Sequence, residues 1–131
     1  MKVFEPLPAE IERLAKQAVD ASIKVHRSLG PGLLESVYQT CLAYELRQRG
    51  LMVEAQVVLP IVYEGVYLEA GLRLDLLIEK QLIVEAKAVQ QMAPLFKAQV
   101  LTYLKLTKLR LALLINFNVP LLRDGLERVI L

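Results

Sequence analysis

Two segments of the chain, Leu72 to Ile78 and Leu82 to Ala88, are almost wholly aliphatic, yet charges interrupt them at Arg73, Asp75, Glu85 and Lys87. Such near-continuous hydrophobicity marks strands covered on both faces, at the centre of a sheet. A charge inside one is costly unless it is paired or ligated. Glu85 and Lys87 are two positions apart and share a strand face. If Ile78 pairs with Leu82 around Glu79-Lys80-Gln81, Asp75 falls directly opposite Glu85. Opposed residues in a ladder hold their Cβ atoms about 5 Å apart, and two ionised carboxylates at that distance repel by about 3 kcal/mol at an effective dielectric of about 20. Something cationic must sit between them. Lys87 and Arg73 supply it if the cluster is a structural salt bridge. Mg²⁺ or Mn²⁺ supplies it if carboxylates and waters complete an octahedron. Spacing alone leaves both readings open.

Around these strands the periodicity predicts helices. Ile11, Leu14, Ala15, Ala18, Val25 and Leu29 recur at helical spacing from Pro8 to Leu29, and Gly30-Pro31-Gly32 ends that run. A second helix is expected from Leu33 to Gly50, burying Leu34, Val37, Tyr38, Cys41, Leu42 and Leu46. Val53 to Leu59, Ile61 to Tyr63 and Val66 to Leu68 read as strands of a meander, with Glu64-Gly65 as a tight turn. Pro94 opens a third helix through Leu106. Leu109 to Phe117 reads as a buried strand and Leu126 to Leu131 as an edge strand. This order gives an α/β (α+β) fold, a central mixed sheet flanked by helices, with all 131 residues in one domain.

Composition narrows the setting. A single cysteine, Cys41, excludes an internal disulfide and makes a structural zinc site hard to build, which points to a reducing compartment. The first thirty residues lack a basic start followed by an apolar run, and no segment reaches the roughly 20 apolar residues that span a bilayer. The expectation is a cytoplasmic protein with no membrane partner. A formal charge of +2 does not announce nucleic-acid binding. Hydrophobic residues make up 55% of the chain, high enough to suggest a surface buried in self-association, and a homodimer is expected.

Asp75, followed by Ile83-Val84-Glu85-Ala86-Lys87, resembles the D…(D/E)-x-K signature of the PD-(D/E)XK nuclease superfamily, whose core is the restriction-endonuclease-like fold. Gly32-Leu33-Leu34-Glu35-Ser36-Val37-Tyr38 is similar to the G-x-x-E-x-x-Y motif of a small bacterial family within it, and His26-Arg27-Ser28-Leu29-Gly30-Pro31 precedes that motif. Gln99-Val100-Leu101-Thr102-Tyr103 resembles the Q-x-x-x-Y motif of RecB-type nucleases. No proline precedes Asp75, a departure that leaves the likeness intact.

The resemblance implies a Mg²⁺- or Mn²⁺-dependent nuclease that hydrolyses phosphodiester bonds, with DNA favoured over RNA. Asp75, Glu85 and Glu35 would hold the metal, Lys87 would position or activate water, and Gln99 and Tyr103 would line the site. Each residue also has a plainer reading. Glu35 after a Gly-Pro-Gly break favours a helix N-terminus in any protein. Tyr38 suits the core, with its hydroxyl bonded towards the site. His26 near a helix C-terminus is usually structural. Gln99 and Tyr103 could form a polar turn of a partly buried helix. Lys97, Lys105, Lys108 and Arg110 could steer phosphates or simply be solvated. The alternatives from other classes are a non-catalytic nucleic-acid-binding or assembly module and a small-nucleotide phosphoesterase.

Overall fold

The computed structural model describes residues 5–131. Its elements run α1 (Ala9–Leu29), α2 (Glu35–Gln48), β1 (Val53–Tyr63), β2 (Val66–Ile78), β3 (Leu82–Lys87), α3 (Pro94–Thr107), β4 (Leu111–Asn116), a single 3₁₀ turn (Leu122–Gly125) and β5 (Leu126–Ile130). Among the described residues, five strands form one sheet in sequence order. Only β3 and β4 are parallel, joined across α3 as parallel neighbours require; the other pairs are antiparallel. The chain therefore adopts the expected mixed sheet with helices on its faces.

Helices α1 and α2 cover one face of the sheet and α3 covers the other. The first core joins Leu14, Ala18 and Val25 of α1 with Tyr38, Leu42 and Leu46 of α2, over Leu76, Ile78, Val84, Leu113 and Phe117. The second joins Val100 and Leu104 of α3 with Leu74, Ile83, Ala112, Leu114 and Val129. Every residue of β4 is buried, which accounts for its unbroken apolar sequence. In α1, acidic Glu10 and Glu12 lie in the first turn and His26 and Arg27 in the last, matching the helix dipole at both ends.

Three expectations are corrected. The second helix starts at Glu35, so Leu34 is left outside the core and 74% exposed. The three short segments from Val53 to Leu68 are parts of two long strands that make one hairpin. The expected tight turn is present, with Glu64 and Gly65 at φ 49° and 77°, as a two-residue turn of the primed type demands. Pro60, which has no N–H to give a ladder, sits where the β1–β2 register shifts between Leu59 and Ile61. Arg73 is exposed, so its charge needs no buried partner.

Candidate active site

The predicted hairpin registers as Ile78↔Leu82, Leu77↔Ile83 and Leu76↔Val84. Asp75 and Glu85 come next, and there the ladder stops. The Asp75 N–H donates to Glu85 Oε1 at 2.9 Å, and the Ala86 N–H donates to Asp75 Oδ2 at 2.9 Å. Two backbone donors that lose their ladder partners are thus satisfied by carboxylates rather than left orphaned. On β1 the ladder also skips a rung: Ala55 pairs with Leu76 and Val57 with Leu74, while Gln56 between them has φ 54°. Leu76 belongs to the core under α1 and α2, but Leu74 belongs to the core under α3. Same-parity residues of a regular strand share a face, so strand alternation inverts at Asp75. The acidic pair lies where β2 parts from β3.

Glu85 is 4% exposed. Burial, followed by the charge on Asp75, pushes its carboxyl up to about 8, and burial also raises Asp75. The Ala86 N–H and the nearby Lys87 ammonium work in the other direction on Asp75. Both carboxyls are therefore harder to ionise than free ones, and Glu85 is the more buried of the two. Lys87 follows Glu85 on the same face, with its Nζ 4.5 Å from the centroid of Phe96 in the first turn of α3. That aromatic face holds the ammonium beside the carboxylates by a cation–π contact.

Helix α3 presents Phe96, Gln99 and Tyr103 at spacings of three and four, along one stripe. Burial raises the phenol of Tyr103, and the charges of Glu85 and Asp75 raise it further. Tyr103 is therefore close enough to the acidic pair for its charges to bear on the phenol, whereas Gln99, one turn earlier, is exposed.

Glu35 is placed differently. It lines a cavity of about 580 Å³ with Gln39, Ala55, Gln56 and Leu76, on the α2 side of the sheet, adjoining Asp75 through its strand neighbours. Among the described residues, no three of His, Cys, Asp and Glu stand close enough together to hold a metal ion. The three-carboxylate cluster expected from Glu35, Asp75 and Glu85 is not assembled, and only the last two meet. As a donor set the remaining pair still fits a hard dication. Asp75 Oδ1 and Glu85 Oε2 accept no N–H bond from the described residues, and carboxylate oxygens left uncommitted in this way suit Mg²⁺ or Mn²⁺.

Tyr38 and His26 lie in the α1 and α2 core, with their polar atoms engaged by backbone. The Tyr38 hydroxyl donates to Gly30 O at 2.6 Å and accepts from the Leu33 N–H at 3.2 Å, while its ring stacks on Phe117 at 4.6 Å. His26 Nε2 donates to Val119 O at 2.8 Å. Both residues brace the Gly-Pro-Gly loop and the exit of β4. Of the expected phosphate-steering cations, Arg110 is bonded to the backbone of Glu5, Pro6 and Leu131, and Lys97 pairs with Glu127 at 3.2 Å. Lys105 and Lys108 remain exposed.

Asn116 escaped the sequence reading. It is 3% exposed, pairs with Lys87 in the β3–β4 register, and clamps the segment after Lys87. Its Oδ1 accepts from Val89 N–H at 3.2 Å and Asn118 N–H at 3.1 Å, while its Nδ2 donates to Val89 O at 3.0 Å. Gly125 packs so closely that a Cβ there would collide with the Asn116 carbonyl. The signal in the sequence was one polar residue ending the apolar run Leu111 to Ile115.

A family model described as the PD-(D/E)XK nuclease superfamily matches residues 12–129. The chain belongs to that superfamily. No curated protein and no solved structure matches it significantly. Asp75, Glu85 and Lys87, the residues whose spacing in the sequence resembles the superfamily signature, are gathered at the divergence of β2 and β3. Superfamily membership carries nuclease chemistry as the general activity, the hydrolysis of phosphodiester bonds, with divalent metal as its typical requirement. Among the described residues, no helix is long and apolar enough to cross a membrane.

Proposed function

We propose that this PD-(D/E)XK protein is a Mg²⁺- or Mn²⁺-dependent nuclease, acting on DNA in preference to RNA, with one catalytic domain spanning residues 1–131. The observation that carries this reading is the Asp75–Glu85 pair with Lys87 beside it. A buried, mutually repelling acidic pair is unfavourable unless a cation or a proton resolves it, and the uncommitted carboxylate oxygens suit a dication. Bound there, the metal would polarise a phosphodiester and lower the pKa of a water. Asp75 and Glu85 would hold it, and waters rather than Glu35 would complete its shell. Lys87, seated on Phe96, would stand by the attacking water or the charge developing on phosphorus. Tyr103 and Gln99 would border the substrate. The likeness of Gly32 to Tyr38 to the G-x-x-E-x-x-Y motif supports placing the chain in that bacterial family, with Tyr38 and His26 supporting the site from behind. We infer also a cytoplasmic setting and self-association as a homodimer.

The test is cleavage of single-stranded, duplex and branched nucleic acids with and without Mg²⁺ or Mn²⁺. Glu85→Gln and Lys87→Ala should each lose at least about a hundredfold in rate, the scale of one positioned electrostatic group. Metal affinity, read by calorimetry with Mn²⁺, should fall in Glu85→Gln alone. Activity that persists in both variants after identical purification marks a contaminant and sinks the assignment. If metal binds while every nucleic acid stays intact, the small-nucleotide phosphoesterase or the non-catalytic module replaces it.

A further inference from the structure

Beyond the Leu59↔Leu72 rung, β1 and β2 leave the rest of the fold as a two-stranded arm. Its rungs are Ile61↔Leu68, Val62↔Tyr67 and Tyr63↔Val66. Alternation puts Ile61, Tyr63, Val66 and Leu68 on one face and Val62 and Tyr67 on the other. Both faces of the ribbon are therefore apolar. From Val62 to Gly71 every residue is exposed, whereas Val57 and Leu59 at the arm's base still pack against the core under α3. An isolated hairpin is at best marginal in water and needs a further strand or a packing partner. Among the described residues, the chain supplies neither.

Charge narrows the partner. From Leu59 to Leu72 the arm carries Glu64 and Glu69 and no Lys or Arg, which rules against phosphate backbones and anionic lipid surfaces. All sixteen bases therefore lie elsewhere in the chain, against the other twelve of its fourteen acids. An acidic arm and a basic body are complementary between copies.

Area points the same way. Tyr63 and Tyr67 are 63% and 76% exposed, and Val62, Val66 and Leu68 are 54%, 54% and 43% exposed. Together they leave on the order of 500 Å² of side chain to cover. Two arms stacked on each other would bury roughly 1,000 Å², below the approximately 1,200 to 2,000 Å² of stable interfaces, and would bring like-charged tips together. Two arms each laid on the partner's body would bury about twice as much.

We propose that this hairpin is a reciprocal dimerisation arm: each copy lays Leu59–Leu72 across the body of a second copy and receives that copy's arm in return. The proposal rests on the self-association inferred above and not on the chemistry of the acidic pair. Because the arm leaves the body three residues before Asp75, the interface lies beside the active site of at least one copy.

Analytical ultracentrifugation of the full chain, with far-ultraviolet circular dichroism as the check on folding, tests it. Wild type at micromolar concentration should sediment at twice the chain mass. Val62→Glu with Tyr67→Glu, both exposed positions, should weaken dimerisation by at least about a hundredfold while the circular-dichroism spectrum is unchanged. Glu64→Gln with Glu69→Gln should weaken it by about tenfold, since the arm loses its complement on the body. A monomeric wild type, or a dimer indifferent to the Val62 and Tyr67 changes, overturns the arm as the interface. Tighter association in the Glu64 and Glu69 variant overturns the reciprocal arrangement in favour of stacked arms. A dimer with no cleavage of nucleic acid would sink the nuclease reading and leave this one standing.

Discussion

Asp75 and Glu85 sit one rung beyond the end of the β2–β3 ladder and replace its hydrogen bonds with their own: the Asp75 N–H goes to Glu85 Oε1, and the Ala86 N–H goes to Asp75 Oδ2. The same two groups thus end the strand pairing and form the acidic pair. Opening the sheet here leaves one oxygen of each carboxylate outside the ladder while the backbone is still held, so the pair is positioned by regular strands on one side and released from them on the other.

That arrangement makes the metal-free protein sensitive to pH. Burial and the charge on Asp75 push the Glu85 carboxyl up to about 8, against 4.5 for an ordinary glutamate, so between these values the native state binds more protons than the unfolded chain. Stability should therefore fall as pH rises through that window, by at most about 1.4 kcal/mol per pH unit for one proton. Urea unfolding at pH 5, 6, 7 and 8 should show this decline in wild type and a flatter profile in Glu85→Gln. Saturating Mn²⁺ should reverse the decline, with proton release on binding. Metal-free stability that rises across the window would contradict the raised carboxyl.

Tyr38 should act on stability alone. Tyr38→Phe keeps the stack on Phe117 but removes the bonds to Gly30 O and the Leu33 N–H, at a cost of about 1 to 3 kcal/mol. Chemical denaturation should read that loss, with kcat per folded molecule unchanged. A changed kcat at unaltered stability would instead make the hydroxyl a substrate contact.

Asn116 is expected to position Lys87 through the segment that follows it. Asn116→Ala removes three hydrogen bonds in a buried place and should cost about 3 kcal/mol of stability. Folded protein should also turn over about tenfold more slowly, because the ammonium is no longer fixed, while Mn²⁺ affinity stays unchanged. Asn116→Asp keeps both acceptor contacts and should recover part of the rate. A rate loss that simply follows the unfolded fraction would reduce Asn116 to a packing role.

Local pattern determined much of this protein. Apolar spacing placed α1 from Pro8 to Leu29, and Ala9–Leu29 is what forms, because a helix buries a stripe its own sequence must carry. The same logic located β3 and β4, whose unbroken aliphatic runs require cover on both faces, and it put the Ile78↔Leu82 rung where the short loop demanded it. The clustering of Asp75, Glu85 and Lys87 followed from strand parity and the superfamily signature. Tertiary structure decided what parity cannot encode. Where a ladder ends depends on which neighbour each strand leaves, and β3 follows β4 while β2 follows β1, so alternation inverts at Asp75. Glu35 opens onto the α2 side rather than joining the pair, since the first turn of α2 is set by packing against the opposite face of the sheet. Phe96 reaches Lys87, and Asn116 grips Val89, across contacts that no local period records. Hydrophobic period is a property of one element, whereas an active site is a meeting of several, and only their packing brings them together.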